Sequence, residues 1–234
     1  MMKREERRND AETPGLAGVL DFLKTLSKNN DRDWFNAHKG EYLQVKAQVE
    51  TFMTWLLQQL VRFDKDMALV DPGKSTYRIY RDTRFSSDKR PYKEYIGTFL
   101  SKEGRHGFCS GYYIHLEPGK SMFGAGVYGL PSEKQKKVRD GIYFQAPTLR
   151  KILQAPAVGK VYGGKMDESM RLKVAPRGYD KNFPDMDLLR YRHYFLSRNV
   201  TDKEVADAGF GKKLLDGLAA AVPFNNFLNA ALDF

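Results

Sequence analysis

Residues 108–130 read FCSGYYIHLEPGKSMFGAGVYGL. Two stretches rich in tyrosine, isoleucine, phenylalanine and valine, 108–117 and 121–130, are separated here by proline, glycine and lysine, a pattern typical of two strands joined by a turn. The link is too short for a helical crossover, and the two strands are therefore predicted to run antiparallel.

Side chains alternate between the two faces of the first of these strands. Tyr112, Ile114 and Leu116 share an apolar face, and the opposite face carries Tyr113, His115 and Glu117. A histidine two residues from a glutamate can act as a general acid–base pair or as half of a metal site. Gly124 and Gly126 on the next strand would leave room above it. His115 and Glu117 are therefore candidate catalytic residues, although such a pair is also ordinary on a solvated sheet face.

The same strand-like composition appears in other parts of the chain. Two further segments, 170–175 and 193–200, have strand character of their own. The expected meander of the central sheet has four members, and these are 75–81, 94–101, 108–117 and 121–130.

Helical spacing of apolar residues dominates both ends of the chain. Near the N-terminus it runs through 16–26, after a predicted helix start at Thr13 and Pro14, and again through 42–63. The turn residues 71–73, Asp-Pro-Gly, end this helical third.

Later helices are marked by their N-terminal signals. Two capping boxes are predicted, Ser132 with Gln135 and Thr201 with Glu204. The second precedes a helical C-terminal segment that Pro223 interrupts.

The order of helices, sheet and helices indicates an α+β fold, with a mostly antiparallel central sheet flanked by N-terminal and C-terminal helices. Because no internal repeat and no linker divides the chain, residues 13–234 are predicted to form a single α+β domain. Residues 1–12 are charged, with no apolar stretch behind them, and are predicted to be a disordered lead-in rather than a secretory signal.

Composition excludes several classes of protein. The 234 residues are 41% hydrophobic and 13% aromatic, unlike a disordered chain. No window approaches the roughly 18 apolar residues of a membrane span, so we expect no membrane partner. Cys109 is the only cysteine, which excludes an intrachain disulfide and suits the reducing cytoplasm. The histidines have no ligand-like spacing, so no metal site is expected, and no motif identifies a cofactor.

The formal net charge of +10 is concentrated in two segments. Residues 74–93 carry seven basic and two acidic side chains, and residues 132–177 carry eleven and four. Such fields attract phosphates, nucleic acids or acidic surfaces. In 132–177 the lysines crowd a predicted helix, where solubility is a sufficient explanation.

Residues 78–93 read RIYRDTRFSSDKRPYK, with an arginine at every third position from Arg78 to Arg84. Guanidinium groups are planar forks suited to bidentate contact with carboxylate or phosphate. A cluster this dense repels itself unless anions are present, and Asp82 and Asp88 supply only part of the negative charge. The predicted anion-binding residues are Arg78, Arg81, Arg84, Lys89, Tyr92 and Lys93. Asp82 is a third candidate catalytic residue.

Residues 78–92 fit the pattern R-x-x-R-D-x-R-F-x-x-D-K-x-x-Y, which resembles the motif of the family called domain of unknown function 2461. Softer similarities extend the resemblance over most of residues 16–200, and they lie at 30–35, 111–117, 124–126 and 176–179. The resemblance implies a single domain and gives weight to residues 78–92. It implies no activity and no cofactor.

Three interpretations of the arginine segment remain open at this point. The first is a site for a phosphorylated or carboxylated ligand, or for a nucleic-acid backbone, since aromatic residues interleave with the basic ones. The second is an enzyme acting on a phosphorylated substrate or nucleic acid, in which Asp82, His115 or Glu117 moves protons. The third is a structural network of an interaction module, in which Asp82 and Asp88 bridge the arginines.

Overall fold

The computed structural model describes residues 13–16 and 18–233. The predicted lead-in, 1–12, lies outside the described residues. The elements before the sheet are α1 (Val19–Lys28), α2 (Arg32–Ala37), α3 (Lys39–Leu60), a 3-10 helix (Lys65–Leu69) and α4 (Pro72–Ser75). Those of the sheet and its connection are β1 (Ile96–Leu100), β2 (Gly111–Leu116), β3 (Met122–Val127), α5 (Ser132–Leu153), α6 (Pro156–Tyr162), α7 (Met186–Leu189) and β4 (Tyr194–Asn199). Three helices follow, α8 (Asp202–Ala206), α9 (Phe210–Ala220) and α10 (Val222–Asp233).

The sheet has the strand order β1-β2-β3-β4, and each neighbouring pair is antiparallel. With helices before and after it, this arrangement confirms the predicted α+β fold. The fourth strand is β4, which comes from the segment predicted at 193–200 and pairs with β3.

Residues 75–81, predicted as the first strand, do not form one. Thr76 makes an isolated bridge to β1, whereas Tyr80 bridges the segment 91–93. The chain thus changes its pairing partner within a few residues. The Arg81 N–H donates to the carbonyl of Pro91 (2.9 Å), and proline has no N–H to return, so the ladder does not continue.

Two other predictions from the sequence are also wrong. The predicted strand at 170–175 is reduced to an isolated bridge between Arg171 and Tyr191. The predicted helix start at Thr13 and Pro14 is displaced to Val19, after Gly18 adopts a left-handed conformation (φ 86°).

The two predicted capping boxes have different outcomes. At α8 the Thr201 hydroxyl accepts from the Glu204 N–H (3.2 Å), and the Thr201 N–H donates to the Glu204 carboxylate (2.8 Å), as predicted. At α5 the N-cap is Pro131 and no capping box forms. The side chain of Gln135 instead donates to the carbonyl of Arg192 (2.8 Å), a long-range contact that replaces the local one.

The core covers one face of the sheet. Tyr112, Ile114 and Leu116 are buried, as the alternation predicts, and α9 and α10 pack against β3. Helix α9 approaches so closely that a Cβ atom at Gly217 would lie 2.6 Å from the Phe123 ring. The opposite face of the sheet is therefore the one available for a site.

Candidate functional site on the second face of the sheet

A cavity of about 660 Å³ lies over the second face of the sheet. Tyr113 and His115 of β2, Gly126 of β3 and Phe195 of β4 contribute to its lining. A side chain is not tolerated at Gly126, because its φ is +130° and a Cβ atom would lie 2.1 Å from the Tyr194 carbonyl. Of the two glycines expected to leave room above the sheet, Gly126 lines the cavity, whereas Gly124 does not, and the Phe195 ring would lie 2.5 Å from a Cβ atom at Gly124.

A chain of hydrogen bonds begins at Tyr113 and His115, which line this cavity, and ends at Glu117, which does not. The Tyr113 hydroxyl lies 3.0 Å from Nδ1 of His115, and Nε2 of His115 lies 2.8 Å from the Glu117 carboxylate. Because a carboxylate only accepts hydrogen bonds, Nε2 carries the proton, and Nδ1 accepts from Tyr113. Lys120 contacts the other carboxylate oxygen of Glu117 (3.3 Å). The arrangement can carry a proton from Tyr113 to His115.

Burial, followed by the neighbouring Tyr95, Tyr77 and Glu117, raises the pKa of Tyr113. The phenol is therefore protonated at neutral pH. The ring of Tyr95 stacks on the imidazole of His115, with 4.5 Å between their centroids, and holds it in place.

Lys93 lies at the basic end of the cavity. Its ammonium donates to the Arg78 carbonyl (2.9 Å) and lies 5.7 Å from the ring centroid of Tyr77 and 5.8 Å from that of Tyr95. Burial lowers the pKa of Lys93, and the positive charges of Arg78 and Arg105 lower it further. These three cations therefore share one electrostatic environment.

Arg105, from the loop between β1 and β2, lines the cavity beside Lys93. Its guanidinium donates to the carbonyls of Lys74 and Thr76 and to the His106 ring. In the part of the chain that the structure describes, neither Arg105 nor Lys93 nor Arg78 forms an ion pair with a carboxylate. Their positive charges therefore have no carboxylate partner among the described residues.

The remaining arginines of the 78–93 segment have carboxylate partners. Arg81 donates to Asp88 (2.6 Å), and Arg84 grips Asp82 in a bidentate contact (3.0 and 2.7 Å). Arg90 also binds Asp88 and bridges to Glu94. Lys89 donates to a backbone carbonyl, that of Thr83 (3.1 Å).

The predicted anion-binding residues are thus distributed over three environments. Lys93 lines the main cavity, whereas Arg78 lines a second cavity of about 220 Å³. The two cavities have Tyr77 and Arg105 in common. Arg81, Arg84 and Lys89 line neither of them.

Tyr92 has a structural environment. Its ring is buried and stacks on Phe35 of α2, with 3.9 Å between centroids. The side chain of Asn30 makes hydrogen bonds to both the N–H and the carbonyl of Tyr92 (3.1 and 3.0 Å). Tyr92 therefore holds residues 78–93 against α2.

Asp82 is exposed, pairs with Arg84 and does not line either cavity. Of the three candidate catalytic residues, His115 and Glu117 are joined, and Asp82 lies apart from them. Three residues that line the cavity were not predicted from the sequence as site residues, and these are Tyr113, Arg105 and Asp167. Tyr113 was available from the alternation, but Arg105 and Asp167 lie in irregular segments without a periodic signal.

No group of three or more metal-ligating side chains occurs among the described residues. Within the same residues, no helix has the length and apolar character needed to cross a membrane.

Comparison with known proteins adds the family. The model of the family described as conserved hypothetical protein (DUF2461) matches residues 18–227. No curated protein and no solved structure matches the chain. The match covers most of the 234 residues and confirms the family that the sequence resembles. The chain therefore belongs to the DUF2461 family of conserved hypothetical proteins.

Proposed function

We propose that the protein binds a small phosphorylated or carboxylated molecule in the cavity over the sheet, with Lys93 and Arg105 as the anion-binding residues. The observation that carries the proposal is the absence, among the described residues, of any carboxylate paired with these two cations. Partly buried positive charge without a counter-ion costs free energy, which a bound anion would recover. Burial of Lys93 lowers the pKa of its ammonium group, and the positive charges of Arg78 and Arg105 lower it further. Both effects are in keeping with this cost.

The size and lining of the cavity favour a small ligand over a polymer. A volume of about 660 Å³ falls within the roughly 300–1,000 Å³ typical of small-molecule sites. Phe99, Phe108 and Tyr95 supply flat apolar walls against which a ring or chain can pack. A site for a nucleic-acid backbone would instead be expected to follow an open basic groove.

The proposal is tested by calorimetric titration with phenyl phosphate, which combines an aromatic ring with a dianion. We expect Lys93→Gln to weaken binding at least tenfold. Lys89→Gln is the matched control, because Lys89 belongs to the same segment and also donates to a backbone carbonyl but lies outside the cavity. Equal loss in both variants would reject the site.

Single-stranded oligonucleotide is the comparison ligand in the same titration. Contacts with Z phosphates give a log–log salt slope of about −0.7Z. Tight oligonucleotide binding with a steep salt slope, together with no binding of phenyl phosphate, would indicate that the site binds a nucleic-acid backbone instead of a small molecule.

The Tyr113–His115–Glu117 chain favours a second candidate, an enzyme that hydrolyses a phosphate ester in the same cavity. Water would attack phosphorus, and the bond from phosphorus to the leaving oxygen would break as Tyr113 protonates that oxygen. Nδ1 of His115, which then no longer accepts from the phenol, would take the proton of the attacking water and pass it to Tyr113. Burial raises the pKa of Tyr113, which keeps the phenol protonated at neutral pH but makes it a weaker acid than an ordinary tyrosine.

Release of inorganic phosphate from phenyl phosphate, whose phenol leaving group benefits from protonation, tests this candidate. If the wild-type protein turns the compound over, we expect Tyr113→Phe and His115→Gln to lower the rate by about 10²–10⁴. His38→Gln is the control, since His38 stacks on Trp34 outside the cavity. Binding of the compound without any turnover would reject the enzyme and retain the proposed binding function.

A further inference from the structure

The cavity also holds a carboxylate, at the edge opposite Lys93 and Arg105. Asp167 follows α6, and its N–H donates to the carbonyl of Phe195 on β4 (2.8 Å). One carboxylate oxygen accepts from the Ser169 N–H (2.8 Å), and the other accepts from the Ser197 hydroxyl (3.3 Å). These contacts fix Asp167 beside β4, where it lines the cavity.

Asp167 carries its charge at neutral pH. Burial raises the pKa of its carboxyl group, but the hydrogen bonds from Ser169 and Ser197 outweigh burial and leave the pKa below its ordinary value. The two neighbours that donate these bonds are uncharged. The carboxylate is therefore held as an anion without being neutralised.

The Asp167 carboxylate has no cationic partner in the part of the chain that the structure describes. Across residues 13–16 and 18–233, no lysine, arginine or histidine forms an ion pair with Asp167. His193 is near enough to influence its pKa, but burial and the adjacent Arg192 lower the pKa of His193 itself. The imidazole is consequently neutral at pH 7, and the negative charge of Asp167 remains available.

The two unpaired charges lie at opposite edges of the sheet. Lys93 precedes β1, and Asp167 is bonded to β4, which is three strands away. Adjacent strands are about 4.8 Å apart, so β1 and β4 are separated by about 14 Å, a gap that the side chains shorten. Aromatic residues line the cavity along with the two charges.

The end of the cavity near Asp167 has a second feature suited to a cation. Tyr128, which lines the cavity, presents an exposed ring that stacks on His193 with 3.7 Å between centroids. The face of a tyrosine attracts ammonium groups. A single carboxylate without further ligating side chains is not the donor set of a metal ion.

We infer that the ligand is a zwitterion, whose anionic group binds beside Lys93 and Arg105 and whose ammonium group binds Asp167 at the other edge of the sheet. This inference rests on the proposed anion site and names its substrate class: a phosphorylated or carboxylated amine with an apolar body between the two charges.

The test compares two isosteric probes. In 4-(2-aminoethyl)phenyl phosphate an ammonium group stands where 4-propylphenyl phosphate has a methyl group. We expect the amine to bind wild-type protein at least tenfold more tightly than the propyl compound. In Asp167→Asn the two probes should bind equally, whereas Lys93→Gln should weaken both by a similar factor.

A matched control separates the effect of the cavity from that of the local turn. Asp180 accepts from the N–H two residues ahead (2.9 Å), as Asp167 does, but lies outside the cavity. Asp180→Asn should keep the preference for the amine. Thermal unfolding of Asp167→Asn establishes that this variant is folded, and Asp167→Glu, which retains the charge, should restore part of the preference.

The outcomes distinguish this inference from the proposed function. Lys93-dependent binding of the propyl compound, with no preference for the amine or a preference that survives Asp167→Asn, would overturn the zwitterion and leave the anion site. Failure of both probes to bind would overturn both. Binding of the amine alone, lost in Asp167→Asn but kept in Lys93→Gln, would overturn the anion site and with it the zwitterion.

Discussion

The Tyr113 hydroxyl lies against the backbone of Gly97, so close that a Cβ atom added at Gly97 would be 2.7 Å from it. Gly97 lies on β1 opposite His115 of β2. The absence of a side chain at Gly97 is therefore what lets the Tyr113 ring reach Nδ1 of His115.

Gly97→Ala is expected to push the Tyr113 ring away and break its hydrogen bond to His115. Overpacking of this kind typically costs about 1–3 kcal/mol, measured by denaturant unfolding, and affinity for phenyl phosphate should change with it. Gly40→Ala is the control, because no atom outside the neighbouring helix backbone lies within 4 Å of a Cβ there. Unchanged stability and binding in Gly97→Ala would show that the ring position does not depend on Gly97.

The exposed pair of Asp82 and Arg84 gives a second prediction. Asp82→Asn should lower the midpoint of thermal unfolding only slightly, because both side chains are exposed and such ion pairs contribute little. Asp88→Asn should lower the midpoint, since Asp88 is more buried and holds both Arg81 and Arg90. A large loss of stability in Asp82→Asn alone would restore the structural role predicted for it.

The same pair sets a pH dependence. The hydrogen bond from Arg84 lowers the pKa of Asp82 to about 2, below the ordinary value of about 3.9. A depressed pKa adds stability that is complete above the unfolded value and is lost as pH falls through the folded one. The unfolding midpoints of wild type and Asp82→Asn should therefore differ by a small, constant amount above about pH 4. This difference should decrease as the pH falls from about 4 to 2.

The two predicted capping boxes provide a matched pair of variants. Thr201→Ala removes a formed cap of α8 and should cost about 0.5–2 kcal/mol of unfolding free energy. Ser132→Ala should be close to neutral, since Ser132 makes no capping hydrogen bond. Equal losses in urea denaturation would contradict the assignment of the two helix starts.

Cys109 provides a chemical probe of the cavity that it lines. Burial, and then the hydrogen bond with Glu103, raises the pKa of its thiol to about 12. Compared with an ordinary thiol of pKa about 8.5, the thiolate fraction at pH 8 is lower by about a thousandfold or more. Ellman's reagent should therefore react with the native protein very slowly and with the urea-unfolded chain at once. Rapid modification of the native protein would contradict this environment.

The sequence alone determined the features that depend on neighbouring residues. Alternation in β2 predicted which side chains are buried and which face the cavity, because the period of a strand is fixed by its backbone. The α+β class and the Thr201–Glu204 box followed from equally local patterns, and the arginine motif predicted the family.

Features that depend on distant partners were decided only by the tertiary structure. Residues 75–81 do not form a strand, because their hydrogen-bond partners change along the segment. Gln135 makes no capping box, because its side chain donates to the carbonyl of Arg192 instead. Within the arginine motif, Asp82 and Asp88 neutralise the charges of Arg84 and Arg81. The unpaired charges of Arg105 and Asp167 come from separate loops, and only the order of the strands places them around one cavity, since charge compensation depends on distance in space rather than along the chain.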